Sequence, residues 1–301
     1  MKRNISGIFP PIATPFDSDG NLMIDWFNEN IERLSETGLA GFVVAGSNGE
    51  SAYLSDDEKL LMVQGARARI PADKTLIVGA GKESTHLSIR FIQKVADLGA
   101  DMVLIGTPSY FKARMDDDAL FAHFWMIADE SPIPVIVYNV PQFTGVNTSV
   151  SLIHRLSAHE NIAGMKESSA NIGMQAEVRR RTPERFQIVV GSAPTMLSSF
   201  ITGACGAVVA IAGVLPNACI EVYEAYRSGD WKRAAELQER LSPVAAAVTT
   251  GFGVPGLKVA MNMAGLKGGE PRLPLLPLNE KQTAGLVAIF KASGYLSAQS
   301  A

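Results

Sequence analysis

A lysine and a tyrosine stand where two buried strands are expected to end. Lys166 closes the apolar run that begins at Ile162, and Tyr138 closes the run that begins at Pro134. An amine at the mouth of an apolar strand loses water around its ammonium form, which favours the neutral, nucleophilic amine. A phenol beside it can move the protons that Schiff-base chemistry requires. The pair predicts an enzyme that forms a covalent imine with a carbonyl substrate.

Each of these two residues also has a purely structural interpretation. Lys166 could be solvated or paired with Glu167, and Tyr138 could be a half-buried tyrosine with a satisfied hydroxyl. Lysine is rarely found inside a barrel mouth without a function, and the neighbouring phenol makes the catalytic interpretation the stronger one.

Eight short apolar runs alternate with longer amphipathic segments along the chain. The runs show little polar alternation, as expected of parallel strands that are covered on both faces. They are Gly7–Ala13, Gly41–Ala45, Leu76–Val78, Met102–Ile105, Val135–Tyr138, Ile162–Lys166, Ile188–Val190 and Ala207–Ile211. Eight strand–helix units in series predict an α/β fold, a (β/α)₈ TIM barrel. An open doubly wound sheet would place a glycine fingerprint after the first strand, where Ala13-Thr14-Pro15-Phe16 stands instead.

Several helix starts can be read from the sequence. Ser55-Asp56-Asp57-Glu58 has the form of a capping box, and Ser84 opens a helix that runs through Ala96. After the eighth run, helical stretches are expected near Pro216–Ser228, Trp231–Ala247, Pro255–Ala264 and Glu280–Ser293. One of them completes the eighth unit. We therefore predict a catalytic barrel over residues 1–228 and a C-terminal helical extension packed on it over residues 229–301.

Composition restricts the class of protein. The chain has 301 residues, of which 47% are apolar and 19% charged, and its net charge of −3 gives no reason to expect nucleic acid or a membrane as a partner. The sequence lacks an apolar run that could span a membrane, and Pro10 and Pro11 argue against a secretory signal. Cys205 and Cys219 lie in apolar surroundings, which is typical of reduced core cysteines. A cytoplasmic location is predicted.

The catalytic groups of such a barrel lie at the C-terminal ends of its strands. Those ends supply an amine, two phenols, small hydroxyls and glycines, but no cluster of His, Cys and carboxylates, so no metal centre is expected. In chain order they are Thr14, Gly46–Glu50, Gly79–Gly81, Thr107–Tyr110, Tyr138, Lys166, Gly191–Ala193 and the stretch near Ile211.

Two of these segments have rival interpretations. Gly46-Ser47-Asn48-Gly49-Glu50 is either a simple turn or a nest for a carboxylate. Its sequence also differs by one residue from the Gly-x-Ser-x-Gly nucleophile elbow of hydrolases. All four histidines lie inside or beside predicted helices and none lies late in the chain, which excludes the hydrolase. Gly79-Ala80-Gly81-Lys82 lacks the hydroxyl residue that a nucleotide loop requires next, so its glycines indicate close packing.

The sequence resembles the class I pyruvate-dependent aldolases, the family of dihydrodipicolinate synthase and N-acetylneuraminate lyase. The resemblance covers essentially the whole chain. It rests on Tyr138-Asn139-Val140-Pro141, then Thr144-Gly145, then Gly164–Ser168. It implies a barrel with C-terminal helices, usually a tetramer of tight dimers, and no cofactor beyond the imine on Lys166.

The resemblance also implies roles for individual residues. Lys166 would form the Schiff base with pyruvate or another 2-keto acid, and Tyr138 would be the general acid and base. Tyr110 matches a tyrosine that members insert into the neighbouring subunit's site, so a homo-oligomer (dimer or tetramer) is expected. The positions implied in substrate binding are Ser47, Asn48, Gly49, Gly191, Ile211 and Ser168. Ser47 and Asn48, where the synthases commonly carry two threonines, would hold the substrate carboxylate and relay protons to the phenol.

Phe143 bears on which member of the family this is. The synthases typically carry an arginine directly before this Thr-Gly, where it binds the carboxylate of aspartate semialdehyde. Losing such a charge-assisted contact costs roughly 1.5–3 kcal/mol. The segments that look most like 4-hydroxy-2-oxoglutarate aldolases, which form pyruvate and glyoxylate, are Gly46–Glu50, Lys112–Met115, Gly191–Ala193 and Phe252–Lys258.

The sequence therefore favours 4-hydroxy-2-oxoglutarate cleavage, with several alternatives open. They are dihydrodipicolinate synthase, for which Lys112 or Arg114 could replace the missing charge, and a 2-keto-3-deoxy sugar-acid aldolase or dehydratase. Oxaloacetate decarboxylation is a possible side activity of the same imine. A catalytically silent barrel is the alternative outside enzymes, but such a chain should lose the lysine–tyrosine pair, and this one keeps it.

Overall fold

The computed structural model describes residues 4–295, and its eight predicted apolar runs form eight strands. The strands are β1 (Gly7–Phe9), β2 (Gly41–Val44), β3 (Thr75–Gly79), β4 (Met102–Gly106), β5 (Val135–Asn139), β6 (Ile162–Glu167), β7 (Gln187–Val190) and β8 (Gly206–Val208). All pair in parallel in one sheet, in the order β1-β8-β7-β6-β5-β4-β3-β2.

Backbone contacts between the two ends of this sheet close it. Pro11 and Val43 form a parallel bridge, and the N–H of Val43 donates to the carbonyl of Pro10 at 3.0 Å. The N–H of Ala40 donates to the carbonyl of Ile8, also at 3.0 Å. The predicted (β/α)₈ barrel is confirmed.

Two strands are shorter than the apolar runs that predicted them. β1 ends at Phe9 because Pro10 and Pro11 have no N–H to donate to a ladder. β8 ends at Val208 because the chain then winds into a 3₁₀ turn over Ala210–Gly213.

Helices follow the strands as expected. They are α1 (Ile24–Ser35), α2 (Asp56–Arg69), α3 (Thr85–Asp97), α4 (Asp117–Glu130), α5 (Pro141–Thr144), α6 (Val150–Leu156), α7 (Ile172–Arg181), α8 (Met196–Ile201), α9 (Pro216–Arg227), α10 (Trp231–Ala246), α11 (Gly253–Met263) and α12 (Glu280–Ala292). The predicted capping box begins α2, where Glu58 N–H donates to Ser55 Oγ at 3.2 Å and Ser55 N–H donates to Glu58 Oε2 at 2.8 Å. Ser84 caps α3, as predicted. Within the described residues, no helix is long and apolar enough to cross a membrane.

Alternation along the strands separates two hydrophobic clusters. On β5, Val135 and Val137 belong to the large cluster between the barrel and the helices, whereas Ile136 and Tyr138 belong to a smaller cluster of inward-facing side chains. Successive side chains of a strand point to opposite faces, so every second residue of β5 and β6 points into the barrel.

The helices after the barrel pack on it. Leu241 of α10, Leu257 of α11 and Phe290 of α12 all belong to the large cluster that contains the outward faces of the strands. Residues 1–3 and 296–301, the ends of the two predicted parts, lie outside the described residues. The division at residue 228 stays a prediction.

Candidate active site

Register brings the predicted reactive pair together. Tyr138 on β5 and Lys166 on β6 are direct partners across the two strands. Both point into the barrel, and the Lys166 Nζ lies 4.2 Å from the centre of the Tyr138 ring. Lys166 is 3% exposed and Tyr138 8% exposed. The amine and the phenol therefore share one buried environment at the C-terminal ends of adjacent strands.

The alternative in which Lys166 pairs with Glu167 does not hold. Glu167 is the next residue on β6 and points to the other face, where its carboxylate accepts a hydrogen bond from Asn139 Nδ2 at 2.8 Å. Among residues 4–295, no carboxylate forms an ion pair with Lys166. The Lys166 amine therefore lies beside the Tyr138 ring, without a carboxylate partner in the described part of the chain.

Sequence reasoning missed the role of Asn139 and Glu167 themselves. Each follows one member of the reactive pair, and they are register partners on β5 and β6. Asn139 also accepts from Thr148 N–H at 3.0 Å and is itself fully buried. These two polar side chains therefore connect the ends of β5 and β6 on the face opposite to Tyr138 and Lys166. Its signal in the sequence is the position directly after each reactive residue.

Gly191 and Ser168 form the wall beside the lysine. A Cβ added to Gly191 would lie 1.7 Å from Ser168 Oγ and 2.9 Å from Lys166 Cε, so any side chain there must displace its neighbours. The Ser168 hydroxyl is buried and has no hydrogen-bond partner within the described part of the chain. Buried polar groups normally have a hydrogen-bond partner, so a bound substrate could supply the partner that this hydroxyl lacks.

The turn after β2 carries the residues predicted to hold the substrate carboxylate. Ser47–Gly49 form a single 3₁₀ turn. Ala45, two residues before it, and Glu50, directly after it, both have φ of 55°. Gly49 is packed against the segment after β1, and its carbonyl accepts from Thr14 Oγ1 at 2.6 Å. Left-handed backbone at residues other than glycine is strained and is found most often at functional sites. Ala170, in the loop after β6, is the third such residue in the described range.

A buried ion pair supports this turn. Glu50 Oε1 lies 2.5 Å from Lys258 Nζ on α11, and both side chains are 1% exposed. The Glu50 carboxylate also accepts from the backbone N–H of Arg272 at 2.8 Å. Burial lowers the pKa of Lys258, and the Glu50 carboxylate opposes that shift. Two segments that the resemblance singled out separately, Gly46–Glu50 and Phe252–Lys258, thus meet in space.

Tyr110 lies at the barrel mouth but outside the buried pair. Its side chain is 79% exposed and contacts Phe111 edge to face, with 4.9 Å between ring centres. Its backbone is held by Glu83, whose carboxylate accepts from the N–H groups of Ser109 and Tyr110, both at 2.9 Å. The predicted reach of Tyr110 into a neighbouring subunit stays a prediction. Glu83 is a third residue that sequence reasoning missed.

The remaining predicted residues have different surroundings. Ser47 and Asn48 are half-buried at the same end of the barrel as Lys166. Ile211 lies in the 3₁₀ turn after β8, and its side chain is fully buried in the outer hydrophobic cluster. Lys166 thus lies against the Tyr138 ring, and Gly191 lies against both Lys166 and Ser168.

The segment that carries Phe143 is α5, which lies beside the loop after β4. Phe143 on α5 is 70% exposed. Gly145 ends α5 with φ of 66°, and the Lys112 Nζ lies 3.9 Å from the position that a Cβ on this glycine would occupy. The structure thus places Lys112, and not a cation on α5 itself, beside this segment. Within residues 4–295, no three His, Cys, Asp or Glu side chains come together as a metal site would require.

The sequence matches the model of the dihydrodipicolinate synthetase family over residues 4–293. The chain belongs to this family. It is 36% identical to a 4-hydroxy-tetrahydrodipicolinate synthase of Methanothrix thermoacetophila, over 93% of this chain and 94% of that relative. It is 33% identical to the synthase of Archaeoglobus fulgidus, over 97% of this chain and 99% of that one.

Solved structures of the family agree with this fold. A dihydrodipicolinate synthase of Bacillus anthracis superposes with a TM-score of 0.92 at 30% identity, covering 96% of this chain and 98% of that one. A monomeric dihydrodipicolinate synthase variant superposes with a TM-score of 0.91 at 28% identity, covering 97% and 98%. The predicted class is confirmed: this is a class I pyruvate-dependent aldolase, a carbon–carbon lyase on a (β/α)₈ barrel. Because a monomeric synthase variant has the same fold, the fold alone does not determine the oligomeric state.

Proposed function

We propose that the enzyme cleaves 4-hydroxy-2-oxoglutarate to pyruvate and glyoxylate through an imine on Lys166. The observation that carries this choice of substrate is Phe143. It stands, exposed and uncharged, on α5 where the synthases commonly carry the arginine for aspartate semialdehyde. The aldehyde released from 4-hydroxy-2-oxoglutarate is only two carbons long, so its carboxylate stays close to the reacting carbon and needs no cation on α5.

The first half of the reaction forms the electron sink. The Lys166 amine attacks the C2 carbonyl, and loss of water gives a protonated imine. Ser47, Asn48 and their backbone N–H groups hold the C1 carboxylate, which orients C2 toward the amine. The unsatisfied Ser168 hydroxyl, on the wall beside Lys166, supplies a hydrogen bond to the C4 hydroxyl or C5 carboxylate.

The second half breaks the carbon–carbon bond. Tyr138 takes the proton of the C4 hydroxyl, the C3–C4 bond breaks, and its electron pair moves into the imine to give an enamine. Glyoxylate leaves. The enamine is then protonated at C3, and water releases pyruvate and restores the free amine. The reverse sequence gives condensation, so the direction depends on concentrations.

The synthase activity is a second candidate, because relatives that match over nearly their whole length carry that name. In that reaction pyruvate condenses with aspartate semialdehyde, and Lys112, beside Gly145, would have to hold the second carboxylate.

Borohydride trapping with pyruvate is the first experiment. Intact mass and peptide mapping should find the reduced adduct on Lys166, and Lys166→Ala should give none. A folded protein that gives no adduct, or an adduct elsewhere, would contradict the imine on this residue.

Steady-state kinetics then separates the substrates. We expect kcat/KM for 4-hydroxy-2-oxoglutarate cleavage to exceed that for condensation with aspartate semialdehyde. Phe143→Arg should raise the condensation rate by about 10- to 100-fold, as a new charge-assisted carboxylate contact would, and Phe143→Gln controls for loss of the ring. A parent enzyme that prefers aspartate semialdehyde would make the synthase the correct assignment. Release of water without pyruvate from a 3-deoxy sugar acid would instead indicate a dehydratase.

A further inference from the structure

The ion pair between Glu50 and Lys258 is almost completely buried. Both side chains are 1% exposed, and the pair joins the end of the turn after β2 to α11. Buried ion pairs contribute little net stability, since the cost of removing two charges from water is large. Their presence therefore calls for another explanation, and fixing one arrangement of the chain is the best attested.

The surroundings of the pair tie it to the rest of the C-terminal region. Lys258 Nζ donates to the Glu270 carbonyl at 2.6 Å, and the Glu270 N–H donates to the Phe16 carbonyl at 2.8 Å. The Phe16 ring lies beneath two cations, with 4.6 Å to Lys258 Nζ and 4.0 Å to the Arg272 guanidinium carbon. These contacts connect α11 and the segment around residue 270 to the loop after β1.

The same set of contacts reaches the turn that carries Ser47 and Asn48. Glu50 directly ends that turn with φ of 55°, a conformation that costs free energy unless its surroundings hold it. Arg272 holds the residues that follow the turn: its N–H donates to the Glu50 carboxylate, and its guanidinium donates to the carbonyl of Tyr53 at 2.7 Å.

We propose that Glu50 and Lys258 are positioning residues: through this pair, α11 holds the turn after β2 in the geometry that binds the substrate carboxylate. Neither residue touches the reacting atoms. The inference rests on the proposed function, since it takes Ser47 and Asn48 as the carboxylate site. It gives the C-terminal helices a part in substrate affinity, in addition to their packing on the barrel.

Glu50→Gln tests the proposal, since it keeps the size of the side chain and an acceptor for the Arg272 N–H and removes only the charge. In borohydride trapping, the pyruvate concentration that gives half-maximal rate should rise about tenfold or more, while the rate at saturating pyruvate stays within about threefold. Lys258→Met should show the same split.

A matched control separates positioning from loss of stability. Arg67 and Asp101 form a partly buried ion pair at 3.2 Å, and Asp101 accepts from Leu76 N–H, so this pair lies at the N-terminal ends of β3 and β4. Asp101→Asn should lower the melting temperature without changing the half-saturating pyruvate concentration. An unchanged concentration in folded Glu50→Gln, or an equal rise in Asp101→Asn, would overturn the proposal.

Two further arms keep the test decisive. If the single variants do not fold, the double variant Glu50→Gln/Lys258→Met should, because it removes both buried charges. Its half-saturating pyruvate concentration should also be higher than that of the parent. A value equal to the parent's would overturn the proposal. Hydrogen exchange of the amides of residues 46–51 needs no substrate: it should be faster in Glu50→Gln than in the parent but unchanged in Asp101→Asn. Absence of a pyruvate adduct in the parent would refute the proposed function, whereas unchanged exchange in Glu50→Gln would refute the positioning role.

Discussion

Gly191→Ala is expected to disable imine formation while leaving the protein folded. The new Cβ would lie 1.7 Å from Ser168 Oγ and 2.9 Å from both Ser168 Cβ and Lys166 Cε. Carbon atoms in contact prefer separations of about 3.5–4.0 Å, so Lys166 Cε must withdraw by about 0.6 Å or more. The hydroxyl must also rotate away. Ser168 Oγ and Lys166 Cε belong to flexible side chains, but Ser168 Cβ is fixed by its own backbone, which must shift slightly as well.

The size of the effect follows from these displacements. Overpacking a well-packed interior costs about 1–3 kcal/mol. A displacement of about 1 Å at a reacting group can cost about 100-fold in rate. We therefore expect about 1–3 kcal/mol of lost stability in denaturant unfolding. We expect a loss of about 100-fold in the rate of borohydride trapping at saturating pyruvate.

Gly106→Ala is the matched control at the end of β4. Its Cβ would lie 4.0 Å from the nearest atom, Tyr138 Cδ1, which is an ordinary contact. Trapping should stay within about threefold of the parent there. Adding Ser168→Ala to Gly191→Ala should restore stability more than rate, because the contact with Lys166 Cε remains. A Gly191→Ala enzyme that traps pyruvate at the parent's rate would refute the close packing of this wall.

Three other predictions concern single groups of the site and the fold. Tyr138→Phe should slow imine formation by about 100- to 10,000-fold while the adduct, found by peptide mapping, stays on Lys166; an unchanged rate would remove the phenol from proton transfer. Ser168→Ala should leave the free energy of unfolding unchanged or slightly higher, because the Ser168 hydroxyl has no hydrogen-bond partner. It should raise the half-saturating concentration of 4-hydroxy-2-oxoglutarate by up to about tenfold; an unchanged concentration would mean that the substrate does not bind this hydroxyl. Burial lowers the pKa of His123 to about 4, against the opposing effect of Glu83, so its contribution to stability is complete above about pH 6.5 and is lost as the pH falls toward 4. His123→Leu should therefore reduce the dependence of the unfolding free energy on pH between those values by about 3 kcal/mol, measured by denaturant unfolding at several pH values; an unchanged slope would contradict the assignment.

The strands and the reactive pair could be predicted because their signals are local. Buried parallel strands are continuous apolar runs, and the C-terminal ends of such runs meet at one face of a barrel. This is enough to place Lys166 beside Tyr138. The strand ends were less predictable where a proline or a tight turn stops the ladder early, as after Phe9 and Val208.

The supporting contacts could not be predicted because they join distant segments. Neither Glu50 nor Lys258 has a local pattern that identifies its partner, and the unsatisfied hydroxyl of Ser168 depends on the surroundings of one atom. Ile211 was expected to line the pocket by resemblance, and only the structure shows that its side chain belongs to the outer cluster. The predicted reach of Tyr110 into a neighbouring subunit stays a prediction, because a single chain does not test it.

The register pairing of Tyr138 with Lys166 has a consequence for how new activities arise in this scaffold. In the proposed mechanism the nucleophile and the proton carrier stand on adjacent strands of the sheet, whereas α5 and the loop after β4 carry Phe143 and Lys112, the residues proposed to distinguish the aldehydes. Loops tolerate change better than the elements that they connect. Substitutions at Phe143 or Lys112 can therefore exchange one aldehyde for another during evolution while the covalent chemistry is inherited intact.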